Sequence, residues 1–93
     1  MESTINSKYW YGESLYRAKN NYPNLFLKDL KNKNKTQLQL MYNNYHELSD
    51  NLHWDKDKAY EYKRFKELPK YEKELERCLK NLYKIEDAYN SLK

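Results

Sequence analysis

The C-terminal third of the chain carries the most regular hydrophobic pattern. Apolar and aromatic residues recur there at alternating spacings of three and four, the heptad pattern of a helix with one apolar seam. This seam consists of Leu68, Tyr71, Leu75, Cys78, Leu82, Ile85, Tyr89 and Leu92. Pro69 suits the first turn of a helix, where a missing N–H leaves no bond unmade. The pattern therefore predicts a long helix over residues 69–91.

A second seam with the same spacing predicts a helix over residues 37–53, for which Thr36 is the expected N-cap. Its members are Leu38, Met41, Tyr45, Leu48 and Leu52. A shorter helix should follow, with Asp55 as its N-cap. Its predicted inner side consists of Ala59, Tyr62 and Phe65. This helix should end before Pro69, because proline disfavours the α conformation in the preceding residue. A continuous kinked helix over residues 57–92 is the alternative.

The N-terminal segment also shows helical spacing, and Ser3 or Ser7 is its expected N-cap. The inner face predicted for it consists of Tyr11, Leu15, Ala18 and Tyr22. Gly12, the only glycine of the chain, would weaken that helix by about 1 kcal/mol, so we expect a close backbone approach there. After Pro23, the stretch "PNLFLKDL" suggests two helical turns capped by Asn24, and "KNKNK" suggests a polar loop.

The composition supports an all-α fold. The chain has no Val and two Ile, against thirteen Leu and eleven Tyr, and strands favour β-branched residues. One Gly and two Pro leave few turn signals for hairpins. We therefore predict a single all-helical domain over residues 1–93. Its expected architecture is a small antiparallel helical bundle of about four helices with a long C-terminal heptad helix.

Charge and cysteine content narrow the classes of function. A net charge of +4 argues against a mimic of DNA and permits nucleic-acid binding without requiring it. One Cys cannot form an internal disulfide, which fits a cytoplasmic setting. The sequence shows neither a secretory signal nor an apolar run as long as a membrane span.

Two basic features are candidate binding surfaces. The first is a stripe on the C-terminal helix, predicted to lie opposite the apolar seam and formed by Lys70, Lys73, Arg77, Lys80 and Lys84. It spans roughly 21 Å and could contact an acidic protein surface or phosphates. The second is the basic loop region that contains Lys28, Lys31, Lys33 and Lys35. A solvated helix face and a solubilising linker are the simpler interpretations of these two features.

Residues that could support catalysis or metal binding are sparse. His46, Asp50 and His53 share one side of the second predicted helix, at a spacing that could hold a divalent metal. That side lies away from the seam, so ordinary polar surface is the preferred interpretation. Cys78 occupies a seam position and is expected to be a small buried hydrophobe. We therefore predict no enzyme activity, no metal and no cofactor.

Aromatic residues exceed what a few short helices can bury, with fifteen in 93 residues. Tyr and Trp combine a large apolar area with a polar tip and often contribute most to binding energy at interfaces. The predicted partner-binding anchors are Tyr9, Trp10, Tyr11 and Trp54. The alternative is that tyrosines replace missing aliphatic residues in a wide core.

These features favour a non-enzymatic protein-binding inhibitor or adaptor that occludes a host protein or a protein–nucleic acid complex. In size, basic charge and helix content the chain resembles helical bacteriocin-immunity proteins. In size and in its composition rich in Asn, Lys and Tyr, it is similar to small phage-encoded inhibitors, anti-CRISPR proteins among them. A phage or mobile-element origin is therefore predicted. The alternative function is direct nucleic-acid binding, and a self-assembling protein such as a homodimer is the third possibility.

Overall fold

The computed structural model describes residues 11–92. Within them lie the helices α1 (Glu13–Asn21), α2 (Leu27–Leu30), α3 (Lys35–Glu61) and α4 (Leu68–Ser91). A 3₁₀ turn over Phe65–Glu67 leads into α4. These elements confirm the all-α class and the long C-terminal heptad helix. The predicted caps Ser3 and Ser7 lie outside the described residues.

The core of the protein is an antiparallel hairpin of α3 and α4. The direction follows from two contacts: the Cys78 thiol donates to the backbone carbonyl of Tyr45 at 3.0 Å, and the Lys56 ammonium lies 3.5 Å from the Glu72 carboxylate. The two predicted seams meet between the helices. Their fully buried members include Leu38, Leu48, Leu52, Tyr71, Cys78 and Ile85. Burying each large side chain contributes about 2 kcal/mol, so this seam accounts for much of the stability of the fold.

Helix α3 runs without a break through residues 53–57, so the prediction of two separate helices there was wrong. Asp55 is not an N-cap but a fully buried residue inside α3. The reason is visible in the spacing, because Asp55 and Ala59 continue the seam beyond Leu52 at intervals of three and four. The chain turns after α3, at Lys63, which has a positive φ of 61°. The alternative of a continuous helix over residues 57–92 was therefore also wrong.

The shorter helices differ from prediction in their caps. Asn34, not Thr36, caps α3 through a capping box: its side-chain oxygen accepts the Gln37 N–H, and Gln37 accepts the Asn34 N–H in return. Helix α2 has a single turn with Phe26 at its N-cap, so the predicted cap Asn24 was wrong. The predicted "KNKNK" loop is shorter than expected because its last residue, Lys35, begins α3.

Helix α1 packs along the hairpin, antiparallel to α3, since Ser14 contacts Asp55 and Tyr22 contacts Tyr45. It begins without a side-chain cap of its own. Its N-cap is Gly12, whose φ of 91° favours glycine over residues with a side chain. The close approach predicted at Gly12 is absent, since a Cβ there would lie 4.0 Å from its nearest neighbour, the Tyr71 hydroxyl. The Asp55 carboxylate of α3 supplies the cap instead. It accepts the backbone N–H of Ser14 at 3.2 Å and also the Ser14 hydroxyl.

The other end of α1 is capped by Arg77 of α4. The Arg77 guanidinium donates to the Ala18 carbonyl and to the Tyr22 carbonyl, each at 2.7 Å. It also forms an ion pair of 2.8 Å with Glu74. A carboxylate at the N-terminus and a cation at the C-terminus both complement the helix dipole. The hairpin therefore fixes α1 at its two ends.

Burial suppresses ionisation inside the hairpin. It raises the pKa of the Cys78 thiol to about 11 and that of the Tyr45 hydroxyl to about 12. The Tyr45 hydroxyl donates to the Pro23 carbonyl at 2.9 Å. The prediction that Cys78 is a small buried hydrophobe is confirmed by its exposed fraction of 2%.

None of the helices within residues 11–92 combines the length and the apolar character that crossing a bilayer requires.

Candidate functional site

The turn between α3 and α4 exposes three aromatic side chains. We call residues 60–66, with the sequence "YEYKRFK", the hairpin tip. The exposed fractions are 66% for Tyr60, 58% for Tyr62 and 52% for Phe65. Single exposed apolar residues are common on protein surfaces, whereas exposed rings in contact, as Tyr60 and Phe65 are, favour an interaction site. The hairpin tip is therefore the candidate functional site.

The backbone of the hairpin tip is held by a Schellman motif at the end of α3. The Arg64 N–H donates to the Ala59 carbonyl at 2.8 Å, and the Lys63 N–H donates to the Tyr60 carbonyl at 3.1 Å. The motif requires a left-handed residue, and Lys63 fills that position. Glycine is usual there because a Cβ in this conformation costs about 1 kcal/mol.

Replacing Lys63 with glycine should therefore raise the free energy of unfolding by about 0.5 to 1 kcal/mol. Thermal unfolding followed by circular dichroism measures the change. The matched control is Lys66→Gly, in the 3₁₀ turn where φ is not positive, and it should lower the stability. A lower melting temperature for Lys63→Gly would contradict this interpretation of the turn.

Side-chain contacts brace the hairpin tip against the start of α1. The Tyr11 ring meets the Tyr62 ring edge-on, with centroids 6.0 Å apart, and the Arg64 guanidinium lies 5.4 Å from the Tyr11 centroid. The Tyr11 hydroxyl donates to the Glu67 carboxylate, and burial together with this bond raises the Tyr11 pKa well above its usual range. The tip thus presents its rings from a constrained turn.

The second aromatic pair of the hairpin tip is Tyr60 and Phe65. Their ring centroids lie 5.8 Å apart in an edge-on arrangement. Both rings are more than half exposed, so this pair forms an accessible apolar surface rather than part of the core. The prediction that Tyr62 and Phe65 lie on the inner side of a helix was wrong, because α3 ends at Glu61.

Charges of both signs surround these rings. The basic side chains are Lys63, Arg64 and Lys66, and the acidic ones nearby are Glu61 and Glu67. Glu61 pairs with Lys58 at 3.3 Å, and Glu67 pairs with Arg64 at 3.4 Å. The tip is therefore aromatic with a mixed and weakly basic rim.

The four predicted aromatic anchors have different positions. Tyr9 and Trp10 lie outside the described residues. Tyr11 packs against Tyr62 and Tyr71, so it supports the tip from within. Trp54 is 46% exposed, and the Lys58 ammonium lies 5.3 Å from its ring centroid. The aromatic anchors that the structure brings together are thus at the hairpin tip.

The predicted basic stripe divides into two groups. Arg77 and Lys84 bind backbone carbonyls of the segment after α1, with a distance of 2.9 Å from the Lys84 ammonium to the Leu25 carbonyl. The side of α4 that carries these two residues is therefore covered by α1 and its following segment and is not a solvated face. Lys70, Lys73 and Lys80 are exposed.

The four lysines of the predicted basic loop region also have different surroundings. Lys28 and Lys31 are exposed, and Lys33 is half-buried. The Lys35 ammonium lies 5.5 Å from the centroid of the Tyr89 ring on α4. Lys28 belongs to α2 and Lys35 to α3, so the region is only partly a loop.

The predicted polar surface on α3 contains the two histidines. His46 lies 3.6 Å from Asp50, and its ring stacks on Tyr42 with centroids 6.1 Å apart. His53 is exposed. Within residues 11–92, no three His, Cys, Asp or Glu side chains are arranged to hold a metal ion.

Sequence reasoning missed the tip because the seam spacing through Ala59 suggested that the helix continued. A local signal was available, since "YEYKRFK" combines three aromatic and three basic residues in seven positions.

The comparisons with known proteins add no assignment to this site. Neither the models of protein families, nor the curated proteins, nor the solved structures contain a match to this chain.

Proposed function

We propose that this protein is a non-enzymatic binding module, an inhibitor or adaptor, that places its hairpin tip against another protein and occludes that surface. The observation that carries the proposal is the exposure of Tyr60, Tyr62 and Phe65 on one constrained turn. Aromatic residues are enriched among the few residues that contribute most to interface affinity.

The rigidity of the turn supports this function. Association costs conformational entropy for every loop and side chain that becomes ordered. The Schellman hydrogen bonds and the contacts of Tyr11 order the tip before a partner arrives. Each ring that a partner covers would then contribute about 2 kcal/mol of burial.

The charges at the hairpin tip favour a protein over a nucleic acid as its partner. Glu61 and Glu67 lie beside the basic residues and would repel phosphates. A protein surface can meet such a mixed rim with charges of both signs. The partner would be a host factor, such as a defence protein or a nucleic-acid-handling protein, and the phage or mobile-element origin remains a prediction from composition.

The double substitution Tyr60→Ala, Phe65→Ala tests the proposal. In an affinity pull-down from a lysate of the source cells, it should reduce recovery of the partner at least tenfold, because two anchors are lost. The matched control is Tyr16→Ala, Tyr83→Ala, which removes two similarly exposed rings from α1 and α4. Circular dichroism should show that both variants keep the fold.

Equal recovery of the same partner by the wild type and by the tip variant would defeat this function. So would an equal loss in both double variants, because the loss would then depend on exposed aromatic residues in general. Loss only in the tip variant supports the proposal.

A further inference from the structure

A second surface of the protein is a groove between α4 and the extended segment of residues 22–26. We call it the basic groove. Its lining includes Asn24, Phe26, Lys73, Arg77, Lys80 and Lys84. None of the rings or charges at the hairpin tip contributes to it, so the two surfaces are separate.

The wall of the basic groove is fixed by hydrogen bonds from α4. Arg77 donates to the Tyr22 carbonyl, and Lys84 donates to the Leu25 carbonyl. The buried Asn81 side chain accepts the Leu25 N–H at 3.0 Å. These bonds hold an extended stretch of chain against a helix and so create the groove.

The charges of the basic groove are mostly positive. Four cations line it, and Glu76 at its edge is the one carboxylate among the described lining residues. Glu76 lies 3.9 Å from Lys80, and both side chains are largely exposed, so this pair is weak. The three lysines extend about 16 Å along α4. The groove therefore suits an extended chain that carries several negative charges.

An exposed aromatic ring stands at the same groove. Phe26 is 58% exposed and is held beside the cations by the fixed segment. Cations that track a backbone, combined with an aromatic platform on which bases stack, are the features of sites for single-stranded nucleic acids.

The backbone of the segment disfavours an acidic peptide as the occupant. Extended peptides that add to an exposed edge gain affinity from main-chain hydrogen bonds. Here the Tyr22, Pro23 and Leu25 carbonyls and the Leu25 N–H are already bonded to side chains of the protein. A phosphate chain needs none of these groups.

We propose that the basic groove binds single-stranded nucleic acid, with Lys73, Lys80 and Lys84 at phosphates and Phe26 stacked on a base. The binding is independent of the partner protein at the hairpin tip. Since about three phosphates would be neutralised, the logarithm of the association constant should fall with the logarithm of salt concentration with a slope of about −2.

Fluorescence anisotropy of a labelled 15-nucleotide oligothymidylate tests the proposal on the full chain. At low salt, Lys73→Ala, Lys80→Ala should weaken binding roughly tenfold. The control Lys63→Ala, Lys66→Ala changes the net charge equally but at the hairpin tip, and should change binding less than about twofold. All four side chains are exposed, so the fold should persist.

The stacking contact has its own pair of variants. Phe26→Ala should weaken oligothymidylate binding roughly tenfold. The control Leu27→Ala truncates the neighbouring exposed apolar residue and should leave affinity within about twofold of the wild type. An equal loss in both variants would overturn the stacking role.

Four other results would overturn the proposal. Three of them are no binding of oligothymidylate at low salt, equal losses in the two lysine double variants, and binding of a hexaglutamate peptide as tight as that of the oligonucleotide. The last result would assign the basic groove to acidic protein segments. A duplex that binds as tightly as the single strand would also contradict base stacking on Phe26.

Discussion

Replacing Asp55 with alanine is expected to lower the free energy of unfolding by about 3 kcal/mol. The substitution removes the acceptor of both the backbone N–H and the hydroxyl of Ser14. Both donors are buried at the start of α1, where Gly12 offers no side-chain cap. A buried donor without an acceptor loses its hydration with no compensating bond. Urea unfolding followed by circular dichroism measures the effect.

The control for Asp55 is Asp57→Ala, two residues further along α3 and exposed. It should change stability by less than about 0.5 kcal/mol. Asp55→Asn keeps one acceptor oxygen and should cost less than Asp55→Ala. Similar stabilities for Asp55→Ala and Asp57→Ala would mean that α1 does not depend on the Asp55 cap.

Replacing Arg77 with alanine is the second large effect, with an expected loss of about 2 to 3 kcal/mol. The guanidinium binds the Ala18 and Tyr22 carbonyls at the end of α1 and the side chain of Asn24. Arg77→Lys should recover only part of this loss, because one ammonium cannot reproduce the planar fork of donors. Urea unfolding again gives the free energies.

Lys80→Ala is the matched control for Arg77, since Lys80 lies one turn away on α4 and is exposed. It should leave stability almost unchanged. The double variant Asp55→Ala, Arg77→Ala should lose less than the sum of the two single losses, because both residues hold the same helix. Full additivity, or equal effects of Arg77→Ala and Lys80→Ala, would contradict the two-ended capping of α1.

The caps of α1 also affect the hairpin tip, because they hold Tyr11 in position. This residue directly precedes Gly12 and α1 and braces the hairpin tip by its contacts with Tyr62, Arg64 and Glu67. Variants that release α1 should therefore loosen the tip as well as the core. The function proposed for the tip thus depends on Asp55 and Arg77, which lie outside the tip.

The spacing of apolar residues was sufficient to predict a helix wherever neighbouring residues alone determine where it begins and ends. Helix α4 follows its seam and begins within one residue of the predicted start at Pro69. The seam spacing predicts α3 as far as Leu52, but a charged residue at the next seam position, Asp55, favours a helix cap there. Asp55 is tolerated there because Ser14, 41 positions away, donates to it.

Contacts between residues far apart in sequence also explain why the surroundings of the candidate site residues could not be predicted. The spacing of Arg77 within the basic stripe is regular, yet its guanidinium binds carbonyls 55 and 59 positions away. Helical periodicity cannot reveal such a contact. Tyr62 and Phe65 continue an apolar spacing that predicts burial, whereas the turn at Lys63 exposes them.

Site-specific photo-crosslinking shows most directly whether the hairpin tip meets the partner. The photoreactive residue p-benzoyl-phenylalanine would replace Phe65 in one variant and Tyr83 in another, since both positions are exposed. Irradiation of the source-cell lysate with each variant would then be followed by identification of the adducts. If the tip meets the partner, position 65 gives one covalent partner adduct and position 83 gives little or none. Adducts of the same protein in equal yield from both positions, or from position 83 alone, would contradict it.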